Sequence, residues 1–246
     1  MKQLLSEILK FIELELPYVE KEAPELLRSL THRCTSEMYI KHGAVDSSYI
    51  VRKIGHLDVL IQTVVGVGDR VKKKYIVQKV TGDIHLQARR NEINFAELLD
   101  TDVVLIDGPL TPYVKSGDRL IGVSKDPKMA RYGEKIQDRE RRELFQKISK
   151  LVGERRVAEL ILLNMPRGSY LEPADLGELY GTFFKSDWVL YVEFPKRFNP
   201  EDLCSLFRKY PVRLRLAHHL AKVNTSFLDL VRLFSDDAFL SPRELL

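Results

Sequence analysis

The apolar positions of the chain fall first into three strand-like runs, which predict the centre of a sheet. The runs cover residues 43–52, 57–67 and 71–80. The segment 66–69 (GVGD) supplies hairpin residues between the last two runs. We therefore expect three consecutive antiparallel strands.

The periodicity then changes to that of helices and buried strands. Residues 84–100 follow a helical period, and VVLID at 103–107 is typical of a buried strand whose end reaches a site. Further strands are predicted over 119–125, 157–163 and 187–194. Helices are predicted before Pro17, over 24–32, in one or two pieces within 127–156, and over 199–208, 214–222 and 225–234.

The order of these elements predicts an α/β fold with a ribonuclease-H-like mixed sheet. In that layout three antiparallel strands are followed by crossover helices, and the first and fourth strands are parallel neighbours. We expect a single domain, 1–246, with extra helices at both ends. Its predicted parts are an N-terminal helical extension (1–40), the core (41–195) and C-terminal helices that complete the site (196–246).

Three acids are candidates for a metal site. Asp46 lies within the first predicted strand and Asp107 ends the fourth, so the layout places them side by side. Two adjacent carboxylates repel each other unless a cation holds them, and Mg²⁺ or Mn²⁺ prefers oxygen ligands. Glu92 is the one acid on an otherwise apolar helix face formed by residues 88, 92, 95, 96 and 99, whereas Glu97 belongs to a polar face and is expected to be solvated.

A structural role is the alternative for each acid. Asp46 could satisfy turn amides, and Asp107 before Gly108 and Pro109 could simply begin a turn. The paired histidines His218 and His219 could likewise lie on a helix surface.

Four motifs resemble, in order, those of the NurA nucleases, which are DNA-end-processing enzymes of archaea and some bacteria. The motifs are AVDSS (44–48), LIDGPL (105–110), IGVSK (121–125) and YPVRLRLAHHLA (210–221). The resemblance implies a ribonuclease-H-like fold, manganese dependence, a homodimer, and work beside the hexameric DNA translocase HerA. Its implied site residues are the acids Asp46, Glu92 and Asp107, then His218, with Tyr210 eight residues before it.

The chain departs from the family pattern at two positions. Ser47 stands where the family usually has glycine, and Pro109 stands where serine is common. Both changes leave the acids in place, so they bear on efficiency and substrate binding more than on the chemistry.

The composition is that of a globular protein, and its mild positive charge favours a polyanionic partner only weakly, because charged helices are usually just solvated faces. The chain is 44% hydrophobic and 30% charged, with a net charge of +4. Basic residues concentrate within 119–156 and 208–222. The DNA-binding candidates are Lys125, Arg131, Tyr210 and Arg213. Lys125 is also a candidate for holding the scissile phosphate, although an ordinary solvated lysine fits the pattern equally well.

Other protein classes are disfavoured by missing patterns. The sequence has no glycine-rich phosphate loop, no Ser-His-Asp signature and no HExxH, which argues against an ATPase or a serine hydrolase. The glutamate-rich N-terminus matches neither a secretory signal nor a membrane span. The two cysteines, Cys34 and Cys204, lie far apart, which predicts free thiols in the cytoplasm and no cysteine zinc site.

The predicted function is a metal-dependent deoxyribonuclease that acts at DNA ends in repair, with Mn²⁺ or Mg²⁺ as cofactor. Resection from the 5′ end, on single- and double-stranded DNA, is what the resemblance implies. The alternatives are a catalytically weak scaffold subunit that binds nucleic acid and docks on a translocase, and a related hydrolase that acts on RNA.

Overall fold

The structure, a computed structural model, describes residues 24–111, 113, 118–125 and 131–222. The helices predicted before Pro17 and over 225–234 lie outside these residues. In chain order, the elements are α1 (Pro24–Arg28), β1 (Thr31–His32), β2 (His42–Ile54), β3 (Leu57–Val67), β4 (Val71–Lys79), α2 (Ile84–Ala96), β5 (Val103–Asp107), β6 (Leu120–Ser124), α3 (Arg139–Val152), α4 (Glu154–Ile161), β7 (Tyr170–Leu171), β8 (Ala174–Asp175), β9 (Leu179–Lys185), β10 (Val189–Pro195), α5 (Pro200–Leu203) and α6 (Val212–Ala221). Single 3₁₀ turns cover Gly133–Lys135 and Cys204–Phe207.

The chain folds as two compact units. Among the described residues, the first unit comprises 24–39, 123–125 and 131–210, and the second comprises 40–111, 113, 118–122 and 211–222. These boundaries differ from the predicted parts of the single domain, whose division stays a prediction.

The sheet of the second unit has the strand arrangement predicted for its first four strands. β2 pairs antiparallel with β3, β3 pairs antiparallel with β4, and β5 runs parallel to β2. The parallel register pairs Val45 with Ile106, one residue before each predicted aspartate. Asp46 and Asp107 are therefore brought to the same end of two neighbouring strands.

Helices pack on both faces of this sheet. On one face, the Cβ of any residue at position 66 would lie 2.8 Å from Phe95, so Gly66 allows α2 to approach β3. On the other face, α6 contacts β2, and Ser48 Oγ donates a hydrogen bond to the carbonyl of Ala221. Each helix therefore places polar side chains beside β2.

Helix α2 confirms the predicted buried face. Its N-terminus is capped by Asp83, whose side chain accepts a hydrogen bond from Leu86 N at 2.8 Å. The buried residues are Ala88, Glu92, Phe95, Ala96 and, after the helix, Leu99. Glu97 is solvated as expected, with 63% of its side chain exposed.

The first unit is built on the antiparallel pair of β9 and β10, with β7 and β1 beyond β9. Its core is formed by aromatic side chains such as Tyr132, Phe145 and Phe183, which meet edge to face. Two short strands, β7 and β8, and the strand β9 were not predicted from the sequence.

Two predicted elements are corrected in this unit. The predicted strand 157–163 is wrong, because α4 covers most of it and buries Val157, Ala158 and Ile161 on one helical face. The helix predicted over 24–32 ends at Arg28, after which the chain forms β1. The one or two helices predicted within 127–156 are confirmed as α3, which begins at Arg139 with Asp138 as its cap, and the start of α4.

The expectation of free thiols is also wrong. Cys34 and Cys204 form a disulfide, with Cα atoms 5.7 Å apart across a sequence separation of 170 residues. Separation along the chain therefore concealed their proximity, and the cysteines no longer indicate a thiol-reduced compartment. Among the described residues, no helix combines the length and the apolar character that a membrane span requires.

Candidate active site

Three of the predicted site residues converge within the second unit. His218 Nδ1 lies 2.7 Å from Asp46 Oδ2 and 3.3 Å from Asp107 Oδ2. The three residues come from β2, the end of β5 and α6. Asp46 is nearly buried, whereas 46% of the His218 side chain is exposed, so the cluster opens to solvent on the histidine side.

Asp46 is held by its neighbours on both carboxylate oxygens. Ser47 N donates to Oδ1 at 2.7 Å, and His218 contacts Oδ2. Burial, and secondly the charge of Asp107, raise the pKa of the Asp46 carboxyl, and the contacts with His218 and Ser47 only partly offset this. A cation beside Asp46 and Asp107 would relieve that cost.

Glu92 approaches the cluster from α2 and is also buried. Its Oε1 accepts a hydrogen bond from Ser47 Oγ, and its Oε2 lies 2.7 Å from Arg89 Nη1. Burial raises the pKa of Glu92 to about 7, and the Arg89 charge and the Ser47 hydroxyl oppose the shift. Glu92 Oε2 has no hydrogen-bond donor of good geometry among the described residues, so Arg89 neutralises it chiefly by charge.

Sequence reasoning missed a polar chain that supports Glu92. Gln62 Nε2 donates to Ser47 Oγ at 2.8 Å and to the carbonyl of Ala88 at 3.0 Å, and Asn91 Nδ2 donates to Gln62 Oε1 at 2.7 Å. The hydroxyl of Ser47 thus links β2 to Glu92. The signal in the sequence was Gln62 itself, a polar residue in the apolar run LDVLIQTVVGV.

Arg89 is the second residue that sequence reasoning missed. Its Nη1 donates to the carbonyl of Asp107 at 3.0 Å while it pairs with Glu92, so one guanidinium joins α2 to the end of β5. Gly108 has φ +101°, and a Cβ there would lie 2.6 Å from Arg89 Nη2. Glycine therefore both turns the chain after Asp107 and leaves room for the arginine. The i, i+3 spacing of Arg89 and Glu92 was the available signal.

The donor set fits a hard divalent cation. One oxygen each from Asp46 and Asp107 and one nitrogen from His218 lie within 4.8 Å of one another. Carboxylate oxygens with one imidazole nitrogen suit Mn²⁺, and Mg²⁺ accepts the carboxylates. Glu92 is not part of this close group, since its carboxylate is turned to Ser47 and Arg89.

The predicted DNA-binding residues are divided between the units. In the first unit, the Lys125 ammonium lies 4.8 Å from the ring centre of Tyr210, and the Tyr210 ring packs on Trp188 with centroids 5.2 Å apart. Arg131 Nη1 pairs with buried Glu193 at 3.2 Å. In the second unit, Arg213 donates to the carbonyl of His42 and lies 3.7 Å from Asp69. Their DNA-binding roles stay predictions.

Known structures share this fold. The chain is similar to a crystal structure of the NurA nuclease from Sulfolobus solfataricus, with 14% identity, a TM-score of 0.64 and 96% of each chain covered. A second NurA crystal structure has 10% identity and a TM-score of 0.63, with 98% of each chain covered. A NurA structure bound to dAMP and manganese has 12% identity and a TM-score of 0.51, over 91% of this chain and 94% of the other. No curated protein matches the sequence.

A family model assigns the chain to a protein family, which structures of such low sequence identity do not do by themselves. The model of the NurA domain matches residues 41–223, which include Asp46, Glu92, Asp107 and His218. Because this match covers most of the sequence, the chain, a mixed α/β protein, belongs to the NurA family.

Proposed function

We propose that the protein is a metal-dependent nuclease that hydrolyses phosphodiester bonds of DNA. The observation that carries the proposal is the cluster of Asp46, Asp107 and His218, whose ligand atoms lie within 4.8 Å of one another. A similar NurA structure holds dAMP and manganese, which supports a nucleotide substrate and a divalent cation.

Some residues of the site would bind the metal ion, and others hold those ligands in position. Asp46, Asp107 and His218 would hold a Mn²⁺ or Mg²⁺ ion, with Glu92 as the further acid. When bound, such an ion polarises the phosphodiester and lowers the pKa of a water nucleophile. Ser47 N fixes one oxygen of Asp46, so that its other oxygen faces His218. Arg89 fixes the end of β5 through the carbonyl of Asp107.

The finer features of the proposal rest on the family. They comprise a ribonuclease-H-like core within one NurA-like domain, action at DNA ends with resection from the 5′ end, a role in repair, a homodimer and a HerA-type translocase as partner. The pairing of three antiparallel strands with a parallel fourth supports the ribonuclease-H-like assignment. Lys125, Arg131, Tyr210 and Arg213 remain the proposed DNA-binding residues.

One observation favours the scaffold alternative. Glu92 is turned toward Ser47 and Arg89, and Ser47 itself departs from the usual family glycine. If these contacts persist when metal is present, the site has two carboxylates rather than three, and hydrolysis would be weak.

A Mn²⁺-dependent cleavage assay on end-labelled single- and double-stranded DNA distinguishes the nuclease from the scaffold protein. We expect shortening of the labelled strand with Mn²⁺ and none with EDTA, and labels at either end report the direction. Binding of DNA without any cleavage at saturating Mn²⁺ would reject the nuclease and leave the scaffold.

A further inference from the structure

The register of the second unit's sheet aligns β4 with the candidate site. Asp46 on β2 pairs with Val65 on β3, and Val65 pairs with Lys73 on β4. Directly paired residues in a sheet point to the same face. Lys73 Nζ lies 3.5 Å from the carbonyl of Leu220 in α6, so this is the face that carries His218.

The next row on the same face is aligned in the same way. Ser48 pairs with Thr63, and Thr63 pairs with Tyr75. Tyr75 is 57% exposed, and the Lys73 ammonium lies 5.1 Å from the centre of its ring. A cation and an aromatic face therefore stand together two strands away from Asp46.

The strand that carries them is exposed and basic. β4 pairs with β3, stands last in the strand order, and is exposed at seven of its nine residues. Residues 70–79 contain five basic residues and no acid: Arg70, Lys72, Lys73, Lys74 and Lys79. Lysines on an edge strand also prevent pairing with other chains, but that role does not require a particular face.

The spacing suits a nucleic-acid strand. Neighbouring strands lie about 4.8 Å apart, so the Cα of Lys73 is about 10 Å from that of Asp46. Successive phosphates of a strand are separated by less than this distance, so a phosphate a few nucleotides from the one at Asp46 can lie as far away as Lys73 does. Helix α6 packs on β2 and β3 on this face, so the strand has to run past the C-terminal end of α6, where Lys73 meets the carbonyl of Leu220, and its path is longer than the direct distance.

We propose that Lys73 and Tyr75 form a subsite for the DNA strand beyond the phosphate that is cleaved. The Lys73 ammonium binds a backbone phosphate, and the Tyr75 ring stacks on a base. The subsite contributes binding affinity without base specificity, because every base has a face that can stack. It rests on the proposed nuclease function for its orientation toward Asp46.

The test compares two lysines of the same strand. Lys74 pairs with Val64 and therefore lies on the opposite face, so Lys74→Gln is the control for Lys73→Gln. Binding of a fluorescent single-stranded oligonucleotide is measured by anisotropy in EDTA across a series of salt concentrations. Lys73→Gln should weaken binding and reduce the log–log salt slope by about 0.7. Lys74→Gln should leave the affinity and the slope unchanged.

Tyr75→Ala tests the stacking half independently and should weaken binding by about tenfold with little change in salt slope. Because Lys73 and Tyr75 are exposed, both variants should have the melting temperature of the wild-type protein. Equal effects of Lys73→Gln and Lys74→Gln, or no effect of either, would overturn the subsite and leave edge protection as the role of these lysines.

A small substrate tests the proposed nuclease function separately from the proposed subsite. Bis(p-nitrophenyl) phosphate is too short to reach β4, so its Mn²⁺-dependent hydrolysis by wild-type protein tests the nuclease chemistry alone. Failure of that hydrolysis counts against the proposed function. The binding comparison in EDTA involves no catalysis, so it decides on the subsite in either case.

Discussion

His218 Nδ1 lies 2.7 Å from Asp46 Oδ2, although 172 residues separate the two in the sequence. The contact exists because α6 packs on the face of β2 to which Asp46 points. The same nitrogen lies 3.3 Å from Asp107 Oδ2, so α6 adds a histidine to the acid pair that β2 and β5 supply. Helix α6 is therefore part of the candidate site.

This contact assigns different roles to two adjacent histidines. His218→Ala should lower Mn²⁺-dependent cleavage by about 100-fold or more, since it removes the nitrogen ligand of the cluster. His219→Ala should stay within about twofold of wild type, because His219 is exposed and outside the cluster. The measurement is the initial rate on end-labelled DNA at saturating Mn²⁺. Equal rates for the two variants would remove His218 from the site.

The acids give a second comparison. Asp46→Ala, Glu92→Ala and Asp107→Ala should each abolish cleavage. Glu97→Ala should be nearly silent, because Glu97 directly follows α2, is solvated and pairs with Arg119. Circular dichroism and the rate on labelled DNA are measured on each folded protein. Glu92 would be excluded if Glu92→Ala retained near-wild-type turnover.

Periodicity allowed the sheet around the acids to be predicted. The runs that became β2, β3 and β4 are 9 to 13 residues long, contain many β-branched residues and follow one another through short turns, which favours strands. The apolar face of α2 was equally readable, because its buried residues recur at helical spacing with Glu92 among them. The elements that position Asp46, Asp107 and Glu92 were therefore predictable.

Long-range contacts were not predictable in the same way. The disulfide of Cys34 with Cys204 depends on chain segments 170 residues apart. The segment 157–163 is apolar enough for a strand, and only packing in three dimensions decides for the helix α4. Likewise, the spacing of Arg89 and Glu92 suggests a pair, but not that the same guanidinium also binds the carbonyl of Asp107.

Arg89 should matter to stability through Glu92. Arg89→Met leaves a buried carboxylate without its charge partner and should lower the free energy of unfolding by about 3 kcal/mol at pH 8. The loss should be smaller when Glu92→Gln is already present, since no charge then needs compensation. Urea unfolding of the four proteins of this double-mutant cycle gives the coupling. Additive effects would show that the ion pair does not contribute.

The raised pKa of Glu92 predicts how the stability of metal-free protein depends on pH. In the folded state the pKa is about 7, against 4.5 for the ordinary group, so folded protein binds the extra proton between these values. The contribution of Glu92 to the free energy of unfolding should therefore fall as pH rises from about 4.5 to about 7. Glu92→Gln removes this contribution, so it should gain stability relative to wild type over the same range. Urea unfolding in EDTA at several pH values measures the difference, and a constant difference would contradict the buried, proton-binding carboxyl.

Asp46 provides the last prediction, which separates a metal ligand from a structural acid. Burial and the neighbouring Asp107 make the charged form of Asp46 costly, whereas an asparagine side chain at this position keeps the shape and can still accept from Ser47 N. Asp46→Asn should therefore melt above wild type in EDTA at pH 8. Mn²⁺ at about 100 times its dissociation constant should stabilise wild type by about 2.7 kcal/mol, or about 5–10 °C in melting temperature for a chain of this size. The asparagine variant should lose most of that rise. If it instead melts lower in EDTA and keeps the full Mn²⁺ shift, the contacts of Asp46 with Ser47 and His218 are structural, and the metal lies elsewhere.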